Sequence, residues 1–170
     1  MKNSILKFGG YGALVGGLIF IGSHYLPWNI DLDTLEIFGW ASILASLSFV
    51  FFGIKHFRDQ INNGHITFGK ALLIGLAISA IAGLAIGILD IIYLIAINPD
   101  FANEYIQHTL DGLKETLSVE EFEIKKAALL EEMKLFDNPI FSGLFMFGLV
   151  FATGIIISII SSLILQRKQN

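Results

Sequence analysis

The chain has 170 residues, of which 54% are hydrophobic and 15% charged, with a formal net charge of -4 and a mean hydropathy of +0.70. An average soluble domain is roughly 25% charged, and one of this size leaves about a third of its unfolded area exposed, too much to hide this apolar content. Disorder, collagen-like repeats and a disulfide scaffold are excluded by 17 glycines without a repeat, three prolines and no cysteine, and the acidic balance argues against nucleic acid. What remains is a small multi-span membrane protein.

A membrane helix needs about 20 mostly apolar residues. The first such run extends from Phe8 to about Leu26, between Lys7 and a Pro27-Trp28 turn. Lys2 and Lys7 before an apolar run also suit a signal peptide. However, the exit Phe20-Ile21-Gly22-Ser23-His24 lacks a small-x-small cleavage pattern, so an uncleaved helix is expected. The second run spans about Leu35–Ile54, with Asp33 and Glu36 at capping-box spacing and Lys55 at its close. The third runs from Phe68 to Ile97 and contains one acid, Asp90. The fourth covers residues 140–165 without a charge, after an Asn138-Pro139 start that supplies an N-cap and a favoured first residue.

Lys and Arg in short loops set orientation. Lys2 and Lys7 precede the first span, Lys55, Arg58 and Lys70 lie between the second and third, and Arg167 and Lys168 follow the fourth. With four spans all three clusters fall on one side, so both termini are expected in the cytoplasm. Trp28, Trp40, Tyr25, Tyr93 and Tyr105 would form an outer aromatic belt. Residues 99–137 hold ten acids against four lysines and are too polar to span. They read as two amphipathic helices outside the membrane. Phe101, Tyr105, Leu110, Leu113 and Leu117 recur at helical spacing after Asn98-Pro99. Ser118 and Glu121 then match a capping box ahead of the stripe Phe122, Leu129, Met133 and Phe136. This hairpin either covers the outer end of its own bundle or docks an extracytoplasmic partner, and the two roles are compatible.

Membrane helices associate through close backbone approach, with small residues at the seams. Ala71, Gly75, Ser79, Gly83 and Gly87 follow one another at four-residue intervals in the third span. Gly12 and Gly16 do so in the first, and the fourth offers Gly154, Ser158 and Ser162. These residues serve either packing within the bundle or association with a second chain. Phe8-Gly9 and Phe68-Gly69, each followed by a small-apolar run, form a faint internal echo.

Asp90 is the one charged residue well inside a span, where an ionised Asp costs about 2.5–3.5 kcal/mol. Its spacing to Gly83, Gly87 and Tyr93 puts it on the seam face, about 10 Å below the outer end of the helix. Trp40, Ser42 and His24 are expected at similar heights on the first two spans, so Asp90, Tyr93, Trp40 and His24 form a candidate intramembrane polar site. Two roles stay open: a buried acid whose hydrogen bonds lock spans together, or a cation or proton site. The four histidines show no metal-ligand spacing and no catalytic or nucleotide motif occurs, so neither metal nor cofactor is expected.

Phe52-Gly53-Ile54-Lys55-His56-Phe57-Arg58, then Gly64-His65-Ile66-Thr67-Phe68-Gly69-Lys70-Ala71, together with Asp90, Tyr93 and Asn98-Pro99-Asp100-Phe101, resemble a known family. It is the group of Bacteroidota membrane proteins termed domain of unknown function 4199. The resemblance covers nearly the whole chain and implies a four-span protein of the bacterial inner membrane with a helical insert before the last span. It implies no activity and no site residues.

The expectation is therefore a single all-α membrane domain: an integral four-helix bundle with an extracytoplasmic amphipathic helical hairpin before the last span. Its expected role is a non-enzymatic accessory or scaffold subunit that binds through the insert. The alternative is a small oligomeric transporter or channel using Asp90. Expected partners are the lipid bilayer, an extracytoplasmic or membrane protein, and further copies of the chain.

Overall fold

The computed structural model describes residues 1–24 and 32–167, without the side chain of His24. The expected turn with Tyr25, Leu26, Pro27 and Trp28, and Lys168 at the other end, lie outside the described residues. The helices, in chain order, are α1 (Lys2–His24), α2 (Leu32–His56), α3 (Phe68–Ile92), α4 (Phe101–Thr116), α5 (Val119–Met133) and α6 (Pro139–Leu165). Single π-helical turns, Phe57–Ile61 and Tyr93–Ile97, prolong α2 and α3. Four segments are long and apolar enough to cross a membrane: Lys2–Ser23, Leu32–Ile61, Phe68–Ile97 and Pro139–Leu165. The protein is thus an all-α, multi-pass membrane helical bundle. The second and third segments have 30 residues each, about 45 Å at the helical rise. The hydrocarbon core measures about 30 Å, so their ends reach into the headgroup region.

Several ends differ from the sequence expectation. Helix α1 starts at Lys2 instead of Phe8, because its polar first turn is anchored: Ser4 is fully buried and its Oγ lies 3.3 Å from His56 Nδ1. Asp33, expected as an N-cap, sits inside the first turn of α2, where its charge still favours the positive end of the helix dipole. Helix α4 starts after Asp100 rather than Asn98. Asn98 instead donates to Glu104 Oε2 at 2.9 Å and to the Tyr93 hydroxyl at 3.4 Å.

Other boundaries follow local chemistry. Asn138 Oδ1 accepts from the backbone N–H groups of Ile140 (3.0 Å) and Phe141 (3.4 Å), with Pro139 as the first residue of α6. At α5 the capping box is complete: Ser118 Oγ accepts from the Glu121 N–H and the Glu121 carboxylate accepts from the Ser118 N–H. The Ser118 hydroxyl and N–H hold the exposed Glu121 carboxyl below the usual range, so the box persists at neutral pH and is lost as pH falls through that lowered value. Between α2 and α3, Asn63 and Gly64 take φ of 51° and 81°, the left-handed geometry that Asn and Gly tolerate.

The chain divides into two compact units, Met1–Ile86 with Met146–Asn170, and Gly87–Phe145. In the first, Ile43, Leu47, Val50 and Ile54 of α2 meet Ile74, Ile78, Ala82 and Ile86 of α3 and Val150 of α6. A short bridge between Ile66 and Arg167, with backbone bonds of 2.9 and 2.8 Å, ties the α2–α3 loop to the end of α6. In the second, α4 and α5 form a hairpin that contains no fully buried residue.

Candidate functional site

The small residues of the sequence lie where helices approach most closely. In the first unit a Cβ at Gly12 would stand 2.7 Å from the Ser46 carbonyl oxygen, and one at Gly16 would stand 2.9 Å from Ser46 Cβ. Helices α3 and α6 meet through a reciprocal pair. A Cβ at Gly75 would fall 2.6 Å from Ser158 Oγ, and one at Gly154 would collide with Ser79. The two hydroxyls lie 3.5 Å apart, and Ser79 also donates to the Gly75 carbonyl at 2.9 Å. Glycine and serine at i and i+4 on antiparallel helices thus interlock. Ala71 and Gly83 are also buried, Gly83 against Phe147. The Phe8-Gly9 and Phe68-Gly69 echo does not extend to packing, because Gly9 is buried against Ile81 and Gly69 is exposed.

The same kind of approach builds the polar site in the second unit. A Cβ at Gly143 would stand 2.7 Å from the Gly87 carbonyl and would collide with Ile91. This close crossing of α3 and α6 brings Ser142, in the first turn of α6, against Asp90. Ser142 Oγ donates to Asp90 Oδ2 at 2.8 Å, and both residues are buried. Tyr93, one turn further along the same face, is only 6% exposed. Its ring packs edge-on against Phe101 at 5.7 Å. It is therefore removed from the aromatic belt in which the sequence placed it. A polar sequence of side chains, Tyr93–Asn98–Glu104, then leads to the exposed surface of α4.

Trp40 and His24 belong to the first unit. Trp40 is exposed on α2, and His24 is the last residue of α1. The sequence reading does not single out Ser142 or Glu104, and it takes Asn98 only as a helix start and part of the family motif. The available signal for Ser142 was its place beside Gly143 at the start of an apolar helix.

On the insert, Phe101, Leu110, Leu113, Leu117, Phe122, Leu129, Met133 and Phe136 are half-buried, while Tyr105 is exposed. Phe136 packs edge-on against Phe141 at 5.4 Å and Phe145 at 5.1 Å. Lys114 of α4 and Lys126 of α5 each lie 6.0 Å from the Phe122 ring. Val119 and Ile124 remain 83% and 66% exposed.

A family model described as "Protein of unknown function (DUF4199)" matches residues 7–167. No curated protein and no solved structure matches the chain. Because the family match extends over nearly the whole sequence, through all four apolar helices and the insert, the chain belongs to the DUF4199 family.

Proposed function

We propose that the protein is a non-enzymatic accessory or scaffold subunit of a bacterial inner membrane, with both termini cytoplasmic, that binds a protein partner through its extracytoplasmic insert. The observation that carries this reading is the outer surface of α5. Val119 and Ile124 are largely exposed beside Glu120, Glu121 and Glu123. Covering an aliphatic side chain of this size contributes about 1.5–3 kcal/mol, and the surrounding acids select a partner with basic residues around an apolar recess. The orientation is supported by the sequence distribution of charge: Lys2, Lys7, Lys55, Arg58, Lys70 and Arg167 flank the spans before the first, between the second and third and after the fourth, whereas the insert between the third and fourth holds ten acids. Asp90 then acts as a structural clasp with Ser142.

A photoreactive amino acid in place of Ile124 tests this reading in membranes of the native cell. The expected result is one protein adduct of defined mass, absent when the probe replaces Gln60. The same adduct should disappear when Glu120→Lys and Glu123→Lys are added, with helix content unchanged. Adducts only with lipid or with another copy of the chain, or an adduct indifferent to the charge reversals, would overturn it.

A further inference from the structure

We infer that the recess lined by Phe8, Phe52, Lys55, His56, Asp59 and Gln60 binds the headgroup and upper acyl chain of an anionic phospholipid. The recess measures about 270 Å³ and lies in the first unit, where the start of α1 meets the end of α2. Its two parts match the two parts of a lipid. Phe8 and Phe52 form an apolar wall on membrane-crossing helices, and Phe52 is 51% exposed. Lys55 follows Phe52 by three residues, on the same helix face, so an acyl chain lying along Phe52 would present its phosphate to the Lys55 ammonium. Lysine stems run along apolar surface in this manner while the charged head stays at the interface.

The charge pattern selects an anionic headgroup over a zwitterionic one. Asp59 is the one carboxylate lining the recess, and Arg58 occupies both of its oxygens, at 2.6 and 3.0 Å. It therefore offers little to the ammonium of a choline headgroup. Lys55 makes no ion pair among the described residues, and a second cation, Lys7, stands 5.6 Å from the ring of the lining residue Phe8. Asp59 and Gln60 of the lining belong to the π-helical turn Phe57–Ile61. Such turns occur often at functional sites. The wall itself is held in place, since the His56 ring packs on Phe8 at 5.1 Å and is fixed through Ser4.

Native mass spectrometry of the full chain in neutral detergent, titrated with phosphatidylglycerol or phosphatidylcholine, tests the site. The wild type should retain phosphatidylglycerol at least fivefold more strongly. Lys55→Gln should lower that preference by about fivefold, the scale of one basic residue at an anionic surface, and Lys55→Arg should keep it. Lys70→Gln, outside the recess lining, should leave it unchanged. Equal retention of the two lipids by the wild type, or an undiminished preference in a folded Lys55→Gln protein, would overturn the inference. Displacement of phosphatidylglycerol by inorganic phosphate would also overturn it, by showing a site for a free anion.

Discussion

Gly12→Ala is expected to destabilise the protein in detergent by about 1–3 kcal/mol, the usual cost of forcing an extra carbon into a filled contact. The added Cβ would lie 2.7 Å from the carbonyl oxygen of Ser46, which belongs to the backbone of α2 and has no rotamer to escape into. The sign should reverse two residues earlier. A Cβ at Gly10 meets nothing within 4 Å, so Gly10→Ala should leave stability unchanged or raise it by about 0.5–1 kcal/mol through helix propensity. Thermal melts of the two single variants in one detergent give the comparison. Equal melting temperatures would mean that α1 does not pack on α2 through this face.

The second large effect is expected at Asp90. Asp90→Asn keeps an oxygen to accept from Ser142 and removes the charge, so this variant should express and melt close to the wild type. Asp90→Leu leaves the Ser142 hydroxyl without its partner and should cost about 1–3 kcal/mol, the penalty for an unsatisfied buried polar group. Adding Ser142→Ala should then recover part of the loss, because the two residues act as a pair. A different pattern would move Asp90 to the transport reading. Wild-type vesicles would conduct a cation or proton, and a stable Asp90→Asn protein would not.

The four membrane-crossing helices were legible because an apolar run of sufficient length has few other uses. The starts of α5 and α6 were legible too, since Ser118 with Glu121 and Asn138 with Pro139 encode caps within a few residues. Asp33 carried the same spacing, yet Leu32 is already helical, so Asp33 lies in the first turn of α2 and not at its cap. The π-helical turns were not legible. They rest on bonds from Asn62 N–H to the Phe57 carbonyl (3.0 Å) and from Asn98 N–H to the Tyr93 carbonyl (2.9 Å), in segments whose composition suits an α-helix equally well. Spacing placed Asp90 and Tyr93 on one face, yet spacing along one helix does not reveal a partner on another. Ser142 for Asp90 and Ser46 for Gly12 emerge only from the packing.

The membrane topology underlies the proposed role of the insert, and single-cysteine labelling tests it most directly, because the natural chain has no cysteine to remove. Glu121→Cys and Gln60→Cys variants would be exposed to a membrane-impermeant thiol reagent in intact cells whose outer membrane has been permeabilised. An extracytoplasmic insert and cytoplasmic termini require Glu121→Cys to react at once and Gln60→Cys to react only after the inner membrane is broken. Labelling of Gln60→Cys in intact cells, with Glu121→Cys protected, would contradict this topology and the recognition surface built on it.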